Sequence, residues 1–379
     1  MTEGRARICY LADADSVHTR KWCRHFAGLG FDVHVLSLRA PSEPISNVTV
    51  HDLAKARSAY RQAIRIWRYA LVYPSARSLV RELRPAILHA HYASGYGLLG
   101  SLMGFHPFVI SVWGSDVLTF PAVSPLHRAL VKFNLARADY VCSTSRFMAR
   151  ETGKYTEKEP VLTPFGVDCE MFKPLLRPAM RDEVAIGTVR PLEEGYGITN
   201  LIEAFSMIHK REKFPGLKLI IVGDGPERSL LERLASGLNV GHQTEFVGWV
   251  PHERVPEYLH RFSIFVAPSI HPEGFGVAVL EASACGIPTV AFDVGGLPEV
   301  VEHGVTGMIV PPGNTAALAD TIQRLVESGE LREKLGRAGR KFALDRYEWS
   351  TTAKSMESLY ESILGRQGAK VGDLPAGRI

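Results

Sequence analysis

The 379-residue chain is short of several things, and each shortage closes off a class of protein. No apolar run approaches the ~18 residues that a membrane-spanning helix needs. Low-complexity tracts and short-period repeats are missing. With 46% hydrophobic and 22% charged residues, the composition excludes a disordered protein, a coiled coil and a collagen-like fibre. Cysteine is scarce and odd in number: Cys9, Cys23, Cys142, Cys169 and Cys285, with no CxxC spacing. A zinc site is therefore disfavoured, and reduced thiols acting as small buried hydrophobes in a cytoplasmic protein are expected. No Gly-x-Gly-x-x-Gly follows the first strand-like run, as a dinucleotide-dependent dehydrogenase would demand. The opening residues lead straight into that run, so no signal peptide is expected.

Acidic residues are unevenly missing. Residues 1–167 hold 21 Lys and Arg against 12 Asp and Glu, a net of +9; the remainder carries 23 against 28, a net of −5. A basic half joined to an acidic half suggests two jobs, the basic half meeting a membrane surface, an anionic lipid carrier or an acidic acceptor. The deficit is sharpest over Leu53–Arg84, where Glu82 is the one acid among Lys55, Arg57, Arg61, Arg65, Arg68, Arg77, Arg81 and Arg84. Arg57, Arg61, Arg65 and Arg68 share one helical face, and Ile64, Trp67 and Leu71 line another. Two readings stay open: a membrane-surface segment, or a domain helix with its apolar face in the core and its arginines in water. Nucleic acid is not expected, since no aromatic–basic repeat or binding module is present.

What is there is a repeated alternation of short apolar runs with helical spacing. Strands are predicted at Arg7–Leu11, Asp32–Leu36, Ile87–Ala90, Phe108–Trp113 and Tyr140–Ser143, then at Val184–Val189, Leu217–Val222, Glu245–Gly248, Ile264–Ala267, Thr289–Phe292 and Met308–Val310. Helices are predicted at Thr19–Leu29, Leu126–Ala138, Asn200–Lys210, Glu227–Leu238, Val277–Cys285 and Ala316–Glu327. Such a series argues for α/β architecture: two doubly wound Rossmann-like domains facing across a cleft, with ligands at the carboxyl ends of the strands. The turn-rich stretch Pro164–Pro174 marks the boundary, giving domains 1–167 and 168–379. A last helix, about 350–365, is a candidate to pack back on the first domain.

The segment His271-Pro-Glu-Gly-Phe-Gly-Val-Ala-Val-Leu-Glu281 holds the most chemistry. It follows a predicted strand and opens a helix at Val277. Gly274 and Gly276 let the backbone approach a ligand, and free N–H groups at a helix start favour an anion such as phosphate. Glu273 and Glu281 flank that anion site. Carboxylates there suit hydroxyl groups, such as those of a sugar and a ribose. A glycine-bearing loop with two solvated glutamates is the plain alternative.

Glu273 and Glu281, with seven residues between them, resemble the EX7E motif of retaining family 4 glycosyltransferases with the GT-B fold. Val222-Gly-Asp-Gly-Pro-Glu227, Phe246-Val-Gly-Trp-Val250, Gly295-Gly-Leu-Pro-Glu299 with Gly304-Val-Thr-Gly307, and Phe165-Gly-Val-Asp168 with Phe172-Lys-Pro174 resemble further pieces of that family in the expected order. Asp15-Ser-Val-His-Thr-Arg-Lys-Trp22 is similar to the first loop of members that modify cell-surface glycans. The resemblance implies a hexosyltransferase that moves a sugar from a nucleotide-sugar donor to an acceptor hydroxyl with retention, in glycan or glycolipid biosynthesis. It implies no metal and no cofactor, a sugar or lipid-linked acceptor, and a cytoplasmic protein that can be peripheral on the inner face of the membrane.

For the residues, the resemblance implies catalytic roles for Glu273, Arg190 and His18. Donor binding falls to Glu281, Gly274, Phe275, Gly276, Val277, Gly223, Val247 and Gly248. Acceptor-side candidates are Ser16, His91, Trp113 and Asp116, with His89 evenly balanced between site and structure. The chain departs from the family in three places. Glu194, Gly195 and Tyr196 stand where a lysine usually joins Arg190 at the diphosphate, Trp113 where many members have His, and Asp13-Ala-Asp15 where a glycine pair is common. The missing lysine keeps open a catalytically idle nucleotide-sugar-binding protein. An epimerase on the same fold is the other alternative, whereas no segment resembles the pyridoxal lysine site of a phosphorylase.

Overall fold

Apolar runs that continue without alternation become parallel strands buried on both faces, which is what covering a sheet with helices on each side requires. The structure, a computed structural model, describes residues 5–54, 67–175, 184–211, 214 and 216–366. It forms two compact units, one running to Thr163 and taking in the chain again from Lys354, the other covering Pro164–Ala353. The boundary thus falls a few residues before the expected 167/168. The last helix, Trp349–Arg366, begins in the second unit and continues in the first.

The first unit holds β1 (Arg7–Leu11), β2 (Asp32–Ser37), β3 (Val48–Asp52), β4 (Ile87–His91), β5 (Phe108–Val112), β6 (Tyr140–Ser143) and β7 (Val161–Leu162). Their order across the sheet is β3-β2-β1-β4-β5-β6-β7, all parallel. The outermost strands β3 and β7 were not expected from sequence. Both lie at sheet edges and are only partly buried, so neither shows the continuous apolar run of the central strands. The second unit holds β8 (Ala185–Val189), β9 (Lys218–Val222), β10 (Thr244–Gly248), β11 (Ile264–Ala267), β12 (Thr289–Phe292) and β13 (Gly307–Val310), ordered β10-β9-β8-β11-β12-β13. Each sheet reverses its strand order once, between β1 and β4 and between β8 and β11. Ligands of open α/β sheets bind beyond the carboxyl ends of the strands at such a reversal.

Of the basic stretch Leu53–Arg84, residues 55–66 lie outside the described residues, and with them Lys55, Arg57, Arg61, Ile64 and Arg65. The described part is the helix Trp67–Leu83. It buries Val72, Ala76 and Val80, four residues apart, in the core of the first unit. That part is a domain helix. Among the described residues no helix is long and apolar enough to cross a membrane. All five cysteines are buried and none forms a disulfide, and burial pushes the thiols of Cys142 and Cys285 up to about 12. Those two thiols stay protonated at neutral pH.

Candidate active site

The chemistry of the second unit gathers at the β8/β11 reversal. Arg190 follows β8 directly and is buried; Glu273 lies in the loop after β11. Arg190 Nη1 donates to Glu273 Oε2 at 2.6 Å, with the two side chains 6% and 13% exposed. Ser269 hydrogen-bonds the other carboxylate oxygen. The ring of Tyr196, in the turn where the lysine is missing, lies 5.9 Å from the Arg190 guanidinium carbon. The carbonyl of Gly195 accepts the N–H groups of Ile270 and His271, which ties this turn to the Glu273 loop. Burial, then the neighbouring Glu273 carboxylate, raises the Tyr196 hydroxyl pKa, so the phenol stays neutral. Arg190 Nε and Nη2 are buried with no hydrogen-bond partner among the described residues. Buried N–H groups of a permanent cation are costly to leave unpaired, so they mark where an anionic acceptor fits.

Two glycines set the backbone around this pair. Gly223, with φ +137°, ends β9, and a Cβ there would lie 1.9 Å from the Arg190 carbonyl oxygen. Gly295 lets the turn after β12 press on Glu273, where a Cβ would lie 2.3 Å from its carbonyl oxygen. The helix Val277–Ala284 begins just past Gly276, which has positive φ, and no side chain caps its start. Gly276 and Val277 thus place their backbone at that helix start. Phe275 does not offer its ring. That side chain is buried, 5.5 Å from the ring of Tyr347 and 6.2 Å from that of Phe165. Its expected donor contact is therefore corrected to its backbone alone.

Glu281 lies one turn inside that helix, 6% exposed, with Oε1 2.6 Å from His252 Nε2. His252 sits in a 3₁₀ turn after β10, its ring 5.4 Å from Phe172. Sequence reasoning missed His252, because nothing local to Pro251-His-Glu-Arg254 announces a partner 29 residues away. Ser269 was missed as well, although its partner Glu273 lies only four residues on. Gly223, Val247 and Gly248 lie at the ends of β9 and β10, joined by Gly223 N–H to the Gly248 carbonyl at 2.9 Å. Trp249 follows them, 74% exposed.

In the first unit the expected acceptor-side residues sort into two kinds. Ser16 and His18, at the start of the helix Val17–Gly28, and Trp113, after β5, are part-exposed. Trp113 meets the rings of His18 at 5.7 Å, Tyr92 at 5.1 Å and His91 at 4.2 Å. Asp116 and His91 are buried, at 1% exposure each, and their assignment as acceptor contacts is corrected. The Asp116 carboxylate accepts backbone N–H groups from Ala93 at 2.7 Å, Gly114 at 3.0 Å and Trp113 at 3.2 Å, so it builds the turn that carries Trp113. His91 Nδ1 lies 3.0 Å from Thr19 Oγ1, and its ring backs Trp113. His89 is structural too. Its Nδ1 lies 2.6 Å from Tyr360 Oη and its Nε2 2.8 Å from Ser111 Oγ, which fastens the last helix to β4.

Burial lowers the His89 pKa from 6.5 to about 3, and burial also holds His91 well below its ordinary value. A histidine kept neutral in the fold binds fewer protons than in the unfolded chain, so stability is full above pH 6.5 and falls as pH drops toward 3. His89 alone accounts for about 2 kcal/mol of loss at pH 5. Denaturant unfolding at pH 7.5 and pH 5 measures this. Equal stability at both would show that these rings are not held neutral.

Among the described residues no group of three His, Cys, Asp or Glu is arranged to hold a metal ion. Two family models match the chain: "Glycosyl transferase 4-like" over residues 7–145 and "Glycosyl transferases group 1" over 178–342. The GDP-mannose-dependent alpha-(1-6)-phosphatidylinositol monomannoside mannosyltransferase of Mycolicibacterium smegmatis is 30% identical, over 91% of this chain and 94% of its own. The N-acetyl-alpha-D-glucosaminyl L-malate synthase of Bacillus anthracis is 25% identical over 73% of this chain and 75% of its own. Among solved structures, sucrose-phosphate synthase from Thermosynechococcus elongatus superposes with a TM-score of 0.82 at 23% identity, covering 96% of this chain and all of that one. Anabaena HepE in complex with UDP does so at 0.78 and 18%, covering 94% and all. Two parallel α/β units of this topology have the GT-B fold. The chain belongs to glycosyltransferase family 4.

Proposed function

We propose that this glycosyltransferase takes a nucleotide-diphosphate sugar, retains the anomeric configuration and builds a glycolipid or cell-surface glycan at the inner face of a membrane. The observation that carries the donor half is the pair of buried guanidinium nitrogens of Arg190, beside Glu273, that have no partner among the described residues. A diphosphate oxygen is the acceptor those N–H groups lack, and the start of the Val277–Ala284 helix adds backbone donors for the same anion. As the glycosidic bond of the donor breaks, negative charge grows on the diphosphate, and preorganised donors stabilise it. Glu273 accepts from donor-sugar hydroxyls, and Glu281, with His252 behind it, from the ribose. In this reading no metal takes part, because Arg190 supplies the cation. His18, Ser16 and Trp113 serve the acceptor, and the +9 balance of residues 1–167 serves a lipid-linked acceptor at an anionic surface.

The mannosyltransferase relative, by its name, uses GDP-mannose and a phosphatidylinositol mannoside, whereas HepE is named in complex with UDP. GDP-mannose and UDP-glucose are therefore the first donors to compare. A ligand that binds only the folded protein at a hundred times its Kd stabilises it by about 2.7 kcal/mol. One donor should raise the melting temperature by several degrees, with and without a chelator, and should turn over on a lipid or sugar acceptor. Binding without turnover on any acceptor would leave an idle binding protein. Loss of turnover with the chelator would overturn metal independence.

A further inference from the structure

The helix Pro125–Arg137 in the first unit is built the wrong way round for a helix that meets only water. It buries Val131, Asn134 and Leu135 on one side. With 3.6 residues per turn, Leu126, Ala129, Phe133 and Ala136 fall on the opposite side, and all four are exposed. Leu126 is 73% and Phe133 43% exposed, and Val123 just before the helix is 67% exposed. A helix on the surface of a globular protein normally turns polar residues outward there.

The charges on the helix itself have one sign. Lys132 and Arg128 border it on one flank and Arg137 on the other, all exposed, and the helix has no acidic residue. Lys158 donates to the carbonyls of Leu135 at 3.0 Å and Ala136 at 2.8 Å, which satisfies the helix end and leaves the outer face free of that duty. We propose that this face lies in the headgroup region of an anionic bilayer, with Val123, Leu126 and Phe133 inserted among the acyl chains and Arg128, Lys132 and Arg137 on lipid phosphates. An apolar stripe flanked by cations is the composition of a helix that lies in a membrane interface. A second copy of the chain is the poorer occupant, because pairing two such faces would bring like charges together. The inference rests on the proposed lipid-surface acceptor and names the surface that reaches it.

Co-sedimentation of the full chain with vesicles of equimolar phosphatidylcholine and phosphatidylglycerol, against pure phosphatidylcholine, tests it. The wild type should bind the anionic vesicles and weaken as salt rises. Leu126→Glu with Phe133→Glu should weaken binding at least tenfold, and Arg128→Glu with Lys132→Glu should weaken it and flatten the salt dependence. All four side chains are exposed, so circular dichroism and donor affinity should match the wild type and separate this test from the donor reading. If the Leu126/Phe133 variant binds as tightly as the wild type, this face is not the docking element, although the lipid-surface reading stands. If the wild type ignores anionic vesicles, both fall. If the variant instead turns a dimer into a monomer in sedimentation velocity, the face belongs to a second copy and the inference is overturned.

Discussion

Arg190→Ala is expected to lower kcat by roughly a hundredfold or more. Removing one preorganised donor aimed at developing charge costs about 2.7–4 kcal/mol of transition-state stabilisation, and Arg190 offers two guanidinium nitrogens that have no partner among the described residues. The usual neighbouring lysine is absent, and Tyr196 stands near the guanidinium instead. A neutral phenol cannot take over the charge. The substitution has a second effect that must be read separately. It strands Glu273, 13% exposed, without its cation, and breaking one side of a buried ion pair costs about 3–5 kcal/mol of stability. Kinetics should therefore be measured well below the variant's own melting temperature. Arg190→Lys separates the two effects, because it keeps a charge near Glu273 but loses the fork that presents several N–H groups at once. Its melting temperature should stay closer to the wild type while kcat still falls. If Arg190→Ala, shown to be folded, loses only twofold, another cation carries the diphosphate.

How far the sequence spoke depended on the range of each interaction. The central strands were legible because a strand buried on both faces writes itself as an unbroken apolar run, as Ile264–Ala267 and Thr289–Phe292 do. The edge strand Val48–Asp52 mixes exposed and half-buried positions, so its signal is that of a loop. Glu273, Glu281 and Arg190 could be named from local motifs. Their partners could not. Glu281–His252 spans 29 residues and Arg190–Glu273 spans 83, and such pairs are set by which strands end beside one another. The same limit explains Asp116. Its position at a strand end suggested a ligand contact, yet only the fold shows three backbone N–H groups converging on its carboxylate. It also explains the Pro125–Arg137 helix, whose apolar residues are so numerous that periodicity alone cannot say which of them face the core.

Glu281→Gln and Glu273→Gln should fail in different ways. Glu281 is buried against His252, one turn into the helix from its free N–H groups, where the ribose of a bound nucleotide is expected. Changing a charged acceptor to a neutral one costs about 1.5–3 kcal/mol, so Glu281→Gln should weaken both the free nucleoside diphosphate and the intact donor by roughly tenfold or more. Glu273 behaves otherwise because its carboxylate already engages the cation proposed for the diphosphate. Neutralising it leaves more of the Arg190 charge for the ligand. Affinity for the free diphosphate should therefore hold steady or rise, while turnover of the full donor falls because the sugar has lost a charged acceptor. A contact that acts only on the reacting sugar appears in kcat and not in the binding of the product nucleotide. Calorimetry with the diphosphate, paired with steady-state kinetics on the donor, reads both variants. Diphosphate affinity lost in Glu273→Gln and kept in Glu281→Gln would exchange the two roles. Wild-type behaviour in both would remove the two glutamates, and the donor site built on them, from the mechanism.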